Sequence, residues 1–182
     1  MTSWISQIDR QWALFLDRDG VINRRLPGDY VKKCEQFVLL PGVTEAMRTL
    51  RQSFGYVFLV TNQQGIGKHL MTEEELSVVH AYMNRLLAHP FDQIYHCPAL
   101  AREQSPFRKP EIGMALQARK DFPAVDFAKA VMIGDSASDM EFGRKAGMRT
   151  VFIRENEESY SQADIVCDSL HEFSKLLKPN RP

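Results

Sequence analysis

Five short apolar runs punctuate the chain: ALFL at 13–16, YVFLV at 56–60, QIYHC at 93–97, AVMI at 130–133 and RTVFI at 149–153. Each has strand length, and their near-continuous apolarity marks strands buried on both faces rather than half-exposed ones. The segments between them, 42–53, 73–88, 111–120 and 137–146, carry apolar residues at helical spacing. Strand and helix therefore alternate, which is the order of a Rossmann-like, doubly wound parallel α/β sheet with helices on both faces. Local signals mark several boundaries: Pro41-Gly42 opens one helix, Thr72 with Glu75 offers a capping box, and Gly147 stands where a helix would stop. ADIVC at 163–167 reads as an added edge strand, 169–177 as a short helix and KPNRP as a frayed tail. The connection from Arg18 to Leu40, turn-rich at Pro27-Gly28-Asp29, reads as a loop or hairpin above the sheet. Its length makes it a candidate substrate wall.

Length and composition narrow the picture. With 182 residues, no internal repeat and no linker, residues 1–182 are expected to form one domain. A hydrophobic fraction of 44% and a charged fraction of 25% exclude disordered and fibrous chains. Lys and Arg balance Asp and Glu at 23 each, so no global field favours nucleic acid or an anionic membrane. Cys34, Cys97 and Cys167 are too few and too scattered for a disulfide framework, which predicts a reducing compartment. No run approaches the roughly 20 apolar residues needed to span a bilayer, and the N-terminus lacks a signal-peptide core. These features predict a cytoplasmic protein without a membrane or stable nucleic-acid partner, a monomer being favoured over an oligomer.

The chemistry gathers where strands end. LFLDRDG (14–20) runs a strand into Asp17 and Asp19, a carboxylate pair able to hold a hard cation and handle a proton, with Gly20 letting the backbone turn closely; an acidic turn after a strand would look the same. VFLVTNQQGIG (57–67) ends a second strand at Thr61 and Asn62, groups suited to phosphate oxygens. FRKPEIGM (107–114) places Lys109 before a helix, where its ammonium could neutralise a phosphoryl group or simply be solvated. AVMIGDSASDMEFG (130–143) ends a third strand at Asp135, with Asp139 four residues on; both can face one site, while Ser136 or Ser138 could merely cap the helix. Chance explains the conjunction of all four poorly.

In this order DRDG, TN, RKP and GDSASD, spread over residues 10–155, resemble the haloacid dehalogenase superfamily of aspartate-nucleophile phosphohydrolases. FLDRDGVIN, Tyr30-Val31, LLPGV, VTNQQGIG and RKPEIGM are similar to its branch of heptose-bisphosphate and histidinol-phosphate phosphatases. The resemblance implies a Mg2+-dependent phosphatase in which Asp17 is the nucleophile and Asp19 the acid and then the base. Asp17, the backbone carbonyl of Asp19 and Asp135 would hold the metal, supported by Asp139. Thr61, Asn62 and Lys109 would bind the phosphoryl oxygens, with Arg108 reaching a substrate anion outside this core.

Two departures stand against the pattern. Many branch members carry a zinc loop, a Cys-x-His and then a Cys-x-Cys pair; here only Cys97 remains, with Ala99, Ser105 and Phe107 at the other positions, and His96 cannot restore a tetrahedral site. No structural zinc is expected. The position after Asp135, often basic in those phosphatases, is Ser136. No large cap domain interrupts the chain, so the site should be open, with Arg18, Arg24, Arg25, Lys32, Lys33 and Arg108 near its mouth. A small phosphorylated metabolite fits, foremost a sugar phosphate such as a heptose bisphosphate and thus carbohydrate metabolism. Histidinol phosphate, a nucleic-acid 3'-phosphate and a non-catalytic phosphate-binding or regulatory role are the alternatives. Trp4, Trp12 and Met47 read as packing, Cys34 as a loop thiol, and Cys97 as a poor rival nucleophile; His69, His80 and His89 show no partner in the sequence.

Overall fold

The computed structural model of the protein describes residues 4–154 and 162–177. Six parallel strands, β1 (Ala13–Leu16), β2 (Tyr56–Asn62), β3 (Gln93–Cys97), β4 (Ala130–Gly134), β5 (Arg149–Ile153) and β6 (Ile165–Cys167), form one sheet in the order β3-β2-β1-β4-β5-β6. Between them lie α1 (Val43–Ser53), α2 (Glu73–Leu86), α3 (Gly113–Asp121), α4 (Ala137–Ala146) and, last, α5 (Leu170–Leu176). The doubly wound reading of the apolar runs holds.

The runs are continuous because both faces of the sheet are covered. Leu14 and Leu16 of β1 join one buried cluster with Met47 and Leu50 of α1, Val79 and Met83 of α2 and Phe173 of α5. Ala13 and Phe15 join the other, with Met114 and Ala118 of α3 and Phe142 of α4. Full burial of each large apolar side chain is worth roughly 1.5–3 kcal/mol, so alternate residues of one strand stabilise two layers at once. Trp4 and Trp12 are buried and stacked with ring centroids 6.2 Å apart, packing residues as expected.

Helix boundaries follow local chemistry. The Thr72 Oγ1 accepts from Glu75 N at 3.1 Å while Glu75 Oε2 accepts from Thr72 N at 2.9 Å, completing the capping box of α2. Gly147 closes α4 in the left-handed region at φ 84°, which only glycine adopts without steric cost. The helix predicted to reach residue 88 ends at Leu86, because Ala88 and His89 turn to φ 57° and 55°. β6 is shorter than expected since Asp164 turns its carboxylate onto the Thr150 amide and hydroxyl. The predicted tail at 178–182 lies outside the described residues.

The connection after β1 is a long folded loop closed at its base by hairpin-like antiparallel pairing of residues 22–24 with 38–40. Isolated bridges join Asn23 to Asp19 and Leu39, the Leu40 amide donates to Ile22 O, and Val21, Ile22, Val31 and Phe37 are buried in the first cluster. A single helix links β2 to β3, so neither connection forms a large cap. Among the described residues, no helix is long and apolar enough to cross a membrane.

Candidate active site

Because β1 lies between β2 and β4, with Leu16 opposite both Leu59 and Ile133, the residues after all three strands emerge side by side. This is the carboxyl edge where ligands bind in open α/β sheets. Gly20, at φ 88°, lets the first loop press against the end of β4; a Cβ there would lie 1.7 Å from Asp135 Oδ2. Across the gap Ser136 caps α4, and Asp139 in its first turn accepts from the Ser136 hydroxyl at 2.5 Å and amide at 3.1 Å. Capping and active-site charge, posed as alternatives by the sequence, coexist because one Asp139 oxygen serves each.

Lys109 is the charge at the centre. Its Nζ donates to Asp17 Oδ1 at 2.8 Å and to Val60 O at 2.7 Å, and pairs with Asp139 Oδ1 at 2.5 Å. Only 3% of the residue is exposed, which excludes a solvated lysine. Its loop is pinned by Asn62, whose Oδ1 accepts from the Lys109 amide at 3.0 Å and whose Nδ2 donates to the Lys109 carbonyl at 3.1 Å. Both ends of the Asn62 amide are therefore spent on placing Lys109. Burial would lower the Lys109 pKa, but Asp139 and Asp17 outweigh it and hold the ammonium above its ordinary range.

The carboxylates around it carry more negative charge than the nearby cations offset. Burial pushes Asp17 up from 3.8 to about 6 against the pull of Lys109, with Asp139 adding repulsion. Burial together with the Asp17 charge pushes Asp135 to about 8 despite Arg25. Asp17, Asp135 and Asp139 each offer an oxygen within 4.8 Å of the others. Asp135 Oδ2 is buried without a hydrogen-bond partner, while its Oδ1 takes the Arg25 guanidinium at 2.7 Å, and that same nitrogen lies 3.5 Å from the carbonyl oxygen of Asp19. A protein cation thus spans a carboxylate and a carbonyl of a purely oxygen donor set, the kind that suits a hard divalent ion. The cluster fits a metal.

Asp19, two residues from Asp17, has the opposite environment. Its carboxylate accepts from Arg18 Nη2 at 2.8 and 3.0 Å, Asn23 Nδ2 at 2.9 Å and Gln63 Nε2 at 3.0 Å. Burial would raise its pKa, but the Arg18 charge and these hydrogen bonds outweigh that and hold it below the ordinary carboxylate range. Arg18 is not at the mouth, as the sequence suggests, but wholly buried, its charge answered by Asp19 and its Nη1 3.2 Å from His80 Nε2. His80 is thus not partnerless. Gln63 and Asn23, both fully buried, escaped singling out although TNQ and GVIN held them in plain view.

Asp17, Asp19, Lys109 and Asp139 line a cleft of about 460 Å³, walled by Gly28, Tyr30 and Val31 of the long loop. Arg25, Lys68, Arg108 and Lys109 are its cations, whereas Arg24 and Lys33 lie outside it and Lys32 pairs with Asp29. Lys68, which donates to the Tyr30 hydroxyl at 3.0 Å, is an addition. Arg108 faces the cleft with Nη1 donating to Ala99 O at 3.0 Å, and Thr61 reaches it with an Oγ1 that accepts from Gln63. Where the zinc loop would lie, the Cys97 thiol meets the Ser105 hydroxyl at 3.8 Å and His96 turns to Glu73 at 2.8 Å.

The comparisons with known proteins agree with this geometry. The family described as HAD-hyrolase-like matches residues 106–173. A D-glycero-alpha-D-manno-heptose-1,7-bisphosphate 7-phosphatase of Mycobacterium bovis is 37% identical over 171 residues, covering 90% of each chain. A D-glycero-beta-D-manno-heptose-1,7-bisphosphate 7-phosphatase of Vibrio cholerae is 39% identical over 181 residues, covering 91% of this chain and 95% of its own. Among solved structures, a D,D-heptose 1,7-bisphosphate phosphatase from B. bronchiseptica, complexed with magnesium and phosphate, superposes with a TM-score of 0.80 at 27% identity, covering 90% of this chain and 96% of the other.

Proposed function

The chain belongs to the haloacid dehalogenase superfamily of phosphatases, closely resembling its heptose-bisphosphate branch, and from that premise we propose that residues 1–182 form one phosphatase domain acting on a heptose bisphosphate. The carrying observation is the buried Lys109 ammonium held between Asp17 and Asp139 at the edge of the sheet, with Asp19 beside them. Asp17 is the nucleophile: its carboxylate oxygen attacks phosphorus, the bond to the sugar oxygen breaks, and an aspartyl phosphate forms on Asp17. Asp19 supplies the proton to the departing oxygen. It is ionised at rest, so the proton arrives with the phosphate monoanion of the substrate and passes through Asp19 to the departing oxygen. Asp19 then takes a proton from the water that attacks the aspartyl phosphate, which frees phosphate and restores Asp17.

Two anions, a carboxylate and a phosphate, must meet for this to happen. Lys109 offsets part of their repulsion, and Thr61 turns its hydroxyl to the phosphoryl oxygens while Asn62 keeps Lys109 in place. Asp17, Asp135 and the carbonyl of Asp19 would hold Mg2+, with Asp139 supporting; when bound, the ion supplies Lewis-acid neutralisation of the phosphoryl charge. Arg25, Lys68 and Arg108 line the same cleft, positive charge that a second phosphate could meet, which favours a bisphosphate over a monophosphate. The metabolite is read as cytoplasmic, and no zinc is required.

Phosphate release with Mg2+ from both heptose bisphosphate anomers, histidinol phosphate and a 3'-phosphorylated oligonucleotide tests this, with Asp17→Asn as control. A heptose bisphosphate is expected to turn over with the highest kcat/KM. Preference for histidinol phosphate or the oligonucleotide would replace the substrate, and no release from any of them would refute the activity.

A further inference from the structure

His80 lies on α2, is 7% exposed and contacts neither Asp17 nor the cleft, yet its Nε2 stands 3.2 Å from Nη1 of Arg18, 62 residues away. A guanidinium has only donors, so this nitrogen must accept, which assigns the ring proton to Nδ1. Arg18 is wholly buried, and the donors on its two terminal nitrogens are distributed between His80 on one side and Asp19 and Gln63 on the other. Its Nε already lacks a partner. The plane of the guanidinium is therefore fixed at one end by an imidazole and at the other by the carboxylate that the proposed mechanism uses twice. His96, edge-on to His80 at 6.2 Å and tied to Glu73, closes the far side. Burial and the Arg18 charge keep His80 neutral, with its pKa pushed down to about 3, so it remains an acceptor.

We propose that His80 is a positioning residue, acting through Arg18 to set where the Asp19 carboxylate rests. It touches no reacting atom. Removing its acceptor leaves a second buried donor of Arg18 unsatisfied, and the guanidinium can recover a partner only by turning, which draws Asp19 with it. This rests on the assignment of Asp19 as acid and base. A merely structural histidine would alter stability without changing which substrates suffer.

The test compares His80→Leu, His80→Asn and His80→Gln with the wild type. Gln carries its amide out to where Nε2 now lies, and Asn falls short, so the Asn and Gln pair decides the outcome if the Leu variant does not fold. With Mg2+ and a heptose bisphosphate, kcat for Leu and Asn is expected to fall roughly tenfold to hundredfold, as for a small displacement of a reacting group, with KM little changed. An aryl phosphate, whose phenolate departs without a proton, should lose much less, and Gln should recover most of the rate. Crystal structures of the variants should show Arg18 turned away from Asp19 for Leu and Asn but not for Gln. Equal losses on both substrate classes, no recovery by Gln, or unmoved Arg18 and Asp19 would each overturn the proposal. A wild type that releases no phosphate would fail the assigned activity instead, and the crystal structures would then decide the placement of Asp19 by themselves.

Discussion

Asp17 and Asp19 are separated by one residue and face opposite situations. Asp19 receives an arginine, an asparagine and a glutamine, and is held ionised by the protein alone. Asp17 shares one lysine with Asp139 and lies beside Asp135; burial and then neighbouring carboxylates push Asp17 up to about 6 and Asp135 up to about 8. One half of the site is complete at rest, and the other is short of positive charge. The difference lets a single DRDG turn serve the two tasks proposed for it: a satisfied carboxylate held in a fixed place to handle protons, and a frustrated cluster whose oxygens suit a cation.

The largest break in this contrast comes from Asp17→Asn, which removes the proposed nucleophile and should lower turnover by at least roughly a thousandfold while leaving the fold intact, as assayed by phosphate release beside circular dichroism. Lys109→Met strips the frustrated half of its one buried lysine. It should cost about 3 kcal/mol of metal-free stability in denaturant titration, because buried carboxylates lose their partner. Mg2+ is expected to repair that half: at a hundredfold excess over its dissociation constant it should stabilise the protein by about 2.7 kcal/mol in thermal melts. Asp135→Asn should abolish that gain, whereas His80→Gln on the satisfied side should preserve it.

Smaller effects refine the comparison. Arg108→Ala should raise KM for a bisphosphate by about tenfold with little change in kcat, the signature of lost binding at the rim. On the satisfied side, burial and the Arg18 charge push His80 down from its ordinary 6.5 to about 3 in the folded protein, in a pocket it shares with Arg18, Asp19 and His96. Between those values the unfolded chain binds more protons, so stability declines as pH falls through that window. His80→Gln should flatten the decline in a series of melting temperatures across it.

Much of this was legible in the sequence because it is local. Strand ends, the capping box of Thr72 and Glu75, and the order of DRDG, TN, RKP and GDSASD depend on neighbours a few residues apart. What was hidden depends on distance in space. An arginine beside two aspartates reads as exposed charge, and only the packing of α2 against the first loop shows Arg18 buried on His80. Lys109 reads as a surface lysine until β2 and α4 close over it, and Asn62 as a phosphate ligand until the lysine loop claims both ends of its amide. Arg25 and Asp135, 110 residues apart, gave no signal of pairing.

The covalent step is tested most directly by mixing the protein with Mg2+ and a heptose bisphosphate, quenching in acid within one turnover and mapping the peptides by mass spectrometry. A phosphate adduct on the peptide that carries Asp17, absent from the Asp17→Asn variant, is the predicted result. Turnover with no adduct on that peptide, or an adduct that persists in the variant, would contradict it.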